Sequence, residues 1–310
     1  MSVRFEAFLR DRRLNSFDYT LTTHTGMGPI KGNFNIEDKD MDIFHELYNN
    51  ACKETRQCLV ERHKDQGPVV VDIDIKHSLN DDRRKYSQDD ILLVVSKFQE
   101  AIGEYVDAED SQYDAYVLEK GHYTMQRGRD AVKDGFHLMF PYIVIPPRER
   151  HAIRERAMKS LDFSHLNPMN SLDDIVDKCV VSSNGWTMYG SCKEFGRVDT
   201  LTSIVDKQLN VRRDNFPSNY DLIKFLSIRE HQNPCRLKHC TIQEEKIEIE
   251  HAPVEHDTES TRFDEANAAK YVKLLKPERA DDYKSWIDLG ICLHNISESL
   301  VTVWDEFSKQ

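Results

Sequence analysis

The segment Val69–Lys76, VVVDIDIK, constrains this chain more than any other. A strand has a side-chain period of two, so Val71, Ile73 and Ile75 point to one face and Asp72 and Asp74 to the other. The run follows Gly67-Pro68 and reads as a buried strand over Val69–Ile75. One face can enter a core. The other carries two neighbouring carboxylates, which repel each other and resist desolvation. A divalent cation removes both penalties, and hard oxygen ligands suit Mg²⁺ or Mn²⁺. A strand end with two solvated acids has the same pattern, so D-x-D alone leaves both readings open.

The flanking sequence supplies alternating elements. Residues 38–64 read as a helix, with Ile43, Phe44, Leu47 and Tyr48 at helical spacing. Residues 77–87 read as a polar loop, and Ser87 as the N-cap of a helix reaching about Tyr105. Strands are expected over Ala115–Leu118 and Phe136–Val144, followed by a basic helix over Arg148–Leu161. Val176–Val181 and Trp186–Tyr189 are two further strand-like runs. Strands alternating with helices predict an α/β or α+β sheet domain.

With 310 residues the chain is long enough for about two domains. Apolar residues are 39% and charged residues 31%, which excludes collagenous, low-complexity and wholly disordered classes. No run of eighteen apolar residues is present, so no membrane span is expected, and the first fifteen residues lack the apolar core of a signal peptide. Seven scattered cysteines with no C-x-x-C pair fit a reducing, intracellular setting. Cys235, His239 and Cys240, with His231, have metal-ligand types, but their spacing fits no common zinc framework. The net charge is −12, and taken alone it argues against a nucleic-acid partner. The charge is uneven, however. Residues 244–265 hold nine acids and two bases. That composition reads as a linker over 241–264, between a large domain (1–240) and a short helical module (265–310).

Two more motifs carry chemistry. In Lys133–Pro141, KDGFHLMFP, an extended chain puts Lys133, Gly135 and His137 on one face and Phe136, Leu138 and Phe140 on the other. A lysine, a histidine and a position without a side chain make room for an anion such as a nucleoside triphosphate. A structural histidine beside a surface lysine reads equally from this pair. Downstream, Asp177 ends the apolar run Ile175-Val176 and could join the same metal site. In NGWTMYGSCK, Asn184–Lys193, Ser191 and Lys193 share a face if extended, and Gly190 permits close approach of a ligand. A hairpin with a surface lysine is the plainer reading. Arg148, Arg150, Arg154, Arg156 and Lys159 could meet template phosphates or form a solvated helix face. Trp186 could stack on a base or sit in the core.

The order DxD, GxH, hydrophobic-Asp, then GSxK resembles the archaeo-eukaryotic primase superfamily, in the branch of primase–helicases from large nucleocytoplasmic DNA viruses of poxvirus and giant-virus type. The matching stretches are VDIDIK, KDGFHLMFP, and IVDKCVV with NGWTMYGSCK. THTGMGPIKG (Thr23–Gly32) also resembles the start of these primases, and LLKPERADDYKSWIDLGICLHNI (Leu274–Ile296) their small C-terminal module. The resemblance implies an archaeo-eukaryotic primase fold with an RRM-like catalytic core. It implies metal-binding catalytic carboxylates at Asp72, Asp74 and Asp177, and nucleotide contacts from His137, Lys133, Gly135, Ser191 and Lys193. Gly135 stands where many relatives have Ser, and Asn184 and Thr187 where some have arginines, which shifts phosphate binding toward lysine, His137 and backbone N–H groups.

The implied activity is primer synthesis on single-stranded DNA from NTPs or dNTPs, with Mg²⁺ or Mn²⁺ as cofactor. Such nucleotidyl transfer works by positioning and charge neutralisation, so carboxylates and lysines suffice. The resemblance also implies that a superfamily 3 helicase follows in the full polypeptide, and that the protein acts inside the host cell, in cytoplasmic virus factories or the nucleus. No P-loop is present in this stretch. A metal-dependent nuclease using the same carboxylates, and a non-catalytic nucleic-acid-binding scaffold, are the competing classes.

Overall fold

The computed structural model describes residues 3–78, 83–125, 131–193, 196–238 and 265–309, apart from 17, 19, 232, 266, 276, 277 and 282. The chain divides into two compact units, Met1–Cys240 and Thr241–Gln310. The acidic stretch 241–264, His239 and Cys240 lie outside the described residues, as do 79–82 of the expected polar loop.

The first unit runs α1 (Val3–Asp11), β1 (His24–Gly26), β2 (Gly32–Phe34), α2 (Met41–Glu54), β3 (Leu59–Glu61), β4 (Gly67–Ser78), α3 (Gln88–Tyr105), β5 (Val106–Asp107), β6 (Ala115–Glu119), β7 (Thr124–Met125), β8 (Ala131–Ile145), α4 (Pro147–Met158), α5 (Leu172–Ile175), β9 (Trp186–Thr187), β10 (Thr200–Val205), β11 (Val211–Arg212), α6 (Asn219–Phe225) and β12 (Arg236–Leu237). The main sheet has the order β11-β10-β6-β8-β4, with β7 paired to β8, and its ladders are antiparallel. β8 lies between β4 and β6, which α3 connects, so the core is a split β-α-β unit. This is the mixed α/β architecture expected, in its α+β form.

One face of the sheet is dry. Val71, Ile73 and Ile75 of β4 and Phe136, Leu138 and Phe140 of β8 are all at most 2% exposed, packed against α3 and α4. Each fully buried aliphatic or aromatic side chain contributes about 1.5–3 kcal/mol. α3 presents Ile91, Val94, Val95, Phe98 and Ile102 to this core. A reciprocal capping box between Ser87 and Asp90 starts it, as the N-cap reading required. Val70 and Met139 point to the other face, which α6 covers at one end through Leu222 and Leu226.

A second sheet, β2-β1-β3-β9, packs with α1 and α2 around Phe5, Phe34, Phe44, Tyr48 and Leu59. It corrects the reading of one helix over 38–64. A 3₁₀ turn at Asp38–Asp40 leads into α2, which ends at Glu54. Leu59–Glu61 is strand because it pairs with β1 on one side and β9 on the other. Val176–Val181 is likewise not a strand. The Arg154 Nε donates to the Val176 carbonyl at 2.9 Å, and Asp177 Oδ1 accepts the Cys179 N–H at 2.8 Å, turning the chain into a 3₁₀ turn at Cys179–Val181. The run Trp186–Tyr189 is strand only through Thr187, because the Ser191 N–H donates to the Met188 carbonyl and turns the chain.

In the second unit, Tyr283–Ile296 and Val301–Phe307 are helices around Leu293, Leu300 and Phe307. Trp286 and Trp304 stack at 4.5 Å, and a Cβ at Gly290 would lie 2.6 Å from the Trp304 ring. Among the described residues no helix is long and apolar enough to cross a membrane.

His45 on α2 is fully buried, with no hydrogen-bond partner at either ring nitrogen among the described residues. Burial, opposed by Glu61 and reinforced by His24, pushes its pKa down from 6.5 to about 4. An unfolded chain gains this proton below about pH 6.5, whereas the folded chain gains it only near pH 4. This contribution to stability is therefore complete above about pH 6.5 and falls toward pH 4, by at most about 3 kcal/mol. Urea unfolding at about pH 7 and about pH 5 should show a loss of stability that shrinks in His45→Leu. Equal losses in both proteins would contradict this assignment.

Candidate active site

The β4–β8 register pairs Asp72 with His137, Asp74 with Gly135, and Lys76 with Lys133. Alternation then lifts Asp72, Asp74, Lys133 and His137 together onto the face opposite the dry core. Asp177 joins them from outside the sheet. On the side of β4 away from β8, Val176 bridges Ile73, and the Asp177 N–H donates to the Asp72 carbonyl at 3.0 Å. Three carboxylates from two distant parts of the sequence thus meet at one strand.

The cations around them are unequally shared. Lys133 Nζ makes an ion pair with Asp74. His137 Nε2 lies 3.2 Å from Asp72 Oδ1, and its ring packs on Trp186 at 5.0 Å. Burial opposes ionisation of Asp72, but His137, Lys133 and Lys120 outweigh it and hold its pKa down at about 2. Burial and the Asp72 charge push Asp74 the other way, and Lys133 only partly compensates. Burial works against the charged forms of Lys133 and His137 as well. The aspartates outweigh it, raising Lys133 through Asp74, Asp72 and Asp177, and His137 through Asp72 and Asp199.

These groups line a cleft of about 960 Å³ between the main sheet and the β1–β3–β9 sheet. Thr25, Met27, Asn33 and Arg62 face it from one side, Lys193 and Arg197 from the loop after β9. Sequence reasoning missed Arg62, Lys120, Arg197 and Asp199. Lys120 Nζ lies 3.7 Å from Asp199 Oδ2, which lies 3.9 Å from His137 Nδ1. No local motif marks Asp199. It arrives because β10 pairs with β6, the neighbour of β8.

A family model described as the C962R protein N-terminal AEP domain matches residues 23–205, and so encloses every residue lining the cleft. The chain belongs to the archaeo-eukaryotic primase family. A second model, primase C terminal 2 (PriCT-2), matches residues 268–310. The chain is 26% identical over 330 residues to "Putative helicase L207/L206" of Acanthamoeba polyphaga mimivirus, covering 93% of this chain and 34% of that protein. It is 28% identical over 342 residues to "Putative helicase 121R" of Invertebrate iridescent virus 3, covering 93% and 35%. This chain therefore spans about a third of the length of these relatives.

Within the primase domain, two placements differ from expectation. Ser191 is 1% exposed, and its Oγ accepts the Leu59 N–H at 2.9 Å and lies 2.7 Å from the Tyr48 hydroxyl. It fastens β3 to α2 and does not line the cleft, whereas the exposed Lys193 does. Arg150 and Arg154 are buried, and Arg156 pairs with Glu104, which leaves Arg148 and Lys159 as the exposed members of the expected row. Of the two readings of Trp186, the structure gives the core one: it is 4% exposed and packs on His137.

Among the described residues no three His, Cys, Asp or Glu side chains converge closely enough to share a metal ion. The donor chemistry nevertheless fits a hard divalent cation. Asp72 Oδ1 is buried without a hydrogen bond, since His137 meets it at ion-pair distance and not in hydrogen-bond geometry. Asp74 has a raised pKa beside it and relies on one lysine.

Gly135 has a steric reason to be glycine. A Cβ there would stand 1.7 Å from the Ile73 carbonyl oxygen on β4. Gly135→Ala and Gly135→Ser should each destabilise the primase domain by about 2–3 kcal/mol, because only prying β4 from β8 relieves the clash. Chemical denaturation reads this directly, and wild-type stability in either variant would refute it.

Proposed function

We propose that this chain is a template-directed nucleotidyltransferase that synthesises primers on single-stranded DNA. The observation that carries the reading is the gathering of Asp72, Asp74 and Asp177 beside Lys133 and His137 in one open cleft. The three aspartates would hold Mg²⁺ or Mn²⁺, which lowers the pKa of an attacking hydroxyl and neutralises charge on the reacting phosphate. Lys133, His137 and Lys193 supply donors to the triphosphate of an incoming NTP or dNTP. Gly135 lines the cleft between Lys133 and His137, where its backbone can be approached by that group. Thr25, Asn33, Arg62 and Arg197, on the far wall and rim, face the space left for template and primer.

The residue types match the chemistry. Phosphoryl-group transfer needs alignment and charge stabilisation more than a protein nucleophile. The cleft has Lys and Arg on its walls and carboxylates at its floor. The relatives named as helicases are about three times as long as the aligned chain, and the reading extends to a helicase elsewhere in the same polypeptide.

Asp72→Asn with Asp74→Asn should lower primer synthesis on single-stranded DNA by at least about 100-fold. It should leave the fold intact by circular dichroism, since both side chains face the cleft and not the dry core. The double variant should also lose Mn²⁺ binding measured by calorimetry. Primers made at the wild-type rate would overturn the reading. Degradation of labelled DNA without nucleotides, lost in the same variant, would replace it with a nuclease.

A further inference from the structure

We propose that Asp199 is a positioning residue that fixes the His137 imidazole against the incoming triphosphate. The inference rests on the nucleotidyltransferase reading of the cleft, but Asp199 belongs to none of the motifs behind that reading. Its placement is a product of the sheet. Leu201 of β10 pairs with Leu118 of β6, and Leu118 pairs with His137 of β8. Those three residues form a row across the sheet, and Asp199 sits one strand period before Leu201. Its carboxylate therefore reaches the His137 ring from the side opposite Asp72.

His137 is held on three sides. Nε2 is 3.2 Å from Asp72 Oδ1, Nδ1 is 3.9 Å from Asp199 Oδ2, and the ring face lies against Trp186. The side chains of His137 and Asp199 are 15% and 12% exposed, so water screens their attraction little. An imidazole has two dissimilar nitrogens, and a carboxylate on one of them sets where the other points. With Asp199 at Nδ1, Nε2 is directed to the Asp72 side, where the reading places the phosphates. Without it, the ring has one ionic anchor and can turn about χ2. Lys120 stands 3.7 Å from the same Asp199 oxygen, so that carboxylate is shared between a lysine and the histidine. Since Asp199 touches no reacting atom in this arrangement, its effect passes through His137.

A double-variant cycle tests this, read by nucleotide affinity and by KM and kcat in primer synthesis. Asp199→Ala should weaken nucleotide binding by about 10–100-fold, the usual penalty for losing a carboxylate that orients a histidine. Asp199→Glu should recover to within about threefold. In a His137→Ala background, Asp199→Ala should add less than about twofold, because the group it positions is gone. Three outcomes would overturn the proposal. The penalty could be the same with and without His137, as for a merely structural ion pair. It could vanish in a Lys120→Met background but persist without His137, which would assign Asp199 to the lysine. It could be below about twofold in wild type. Failure of the underlying reading looks different: His137→Ala and Asp72→Asn would themselves leave nucleotide binding and primer synthesis intact.

Discussion

The antiparallel pairing of β4 with β8 is the interaction on which the rest of the structure depends. Its register puts Asp72 beside His137 and Asp74 beside Gly135, and the strand period does the rest. Val69, Val71, Ile73 and Ile75 of β4 and Phe136, Leu138 and Phe140 of β8 enter the dry layer against α3 and α4. Their neighbours carry charge into the cleft. A slip of β4 by one residue would bury two aspartates and expose Ile73, so core and site enforce the same register. The absent side chain at Gly135 belongs to this constraint, since the Ile73 carbonyl occupies the space a Cβ would need.

That pairing concentrates acid where solvent is scarce, and the response of the site is asymmetric. Asp72 is surrounded by His137, Lys133 and Lys120 and stays ionised. Asp74 has Asp72 as a neighbour and one ammonium in contact, and its charged form is disfavoured. An arrangement with one firmly ionised carboxylate, one reluctant one and a third arriving by its backbone is stabilised by added positive charge. The same feature accounts for the absence of a ready three-ligand cluster among the described residues: Lys133 is itself the cation at Asp74. A metal ion bound there would compete with Lys133 for Asp74, leaving the lysine available to an anionic ligand.

What was legible in the sequence follows from how local each signal is. VVVDIDIK announced both faces of β4 because period two is written in the residues themselves, and the Ser87 cap and the α3 apolar stripe were equally local. The helix expected over 38–64 failed at its end, because Leu59–Glu61 is strand only by pairing with β1 and β9, which lie far away in sequence. Ser191 misled for a similar reason. Alternation predicts a shared face with Lys193 in extended chain, but Tyr48 and Leu59, far away in sequence, hold the hydroxyl. The α4 arginines looked like a phosphate-binding row because spacing does not report that Arg154 supports the Val176 carbonyl from within. Asp199 and Arg62 left no trace in any motif, since only sheet order and the facing of two sheets bring them to the cleft.

The net charge of −12 also changes meaning when it is placed on the fold. Nine acids fall within residues 244–265, a stretch of sequence that contributes none of the residues lining the cleft. The cleft itself is lined by Arg62, Lys120, Lys133, Lys193 and Arg197 with Asp72, Asp74, Asp134, Asp177 and Asp199, an equal number of each sign. Asp134 is further committed to Arg84, whose Nε lies 3.3 Å from it. Cations held at the floor would leave the walls with an excess of positive charge. Attraction for a polyanion would then depend on the metal, with little of it built into the protein alone. An acidic chain can serve a nucleic-acid substrate on these terms because the sign of its cleft is set at the site and not by the sum over the sequence.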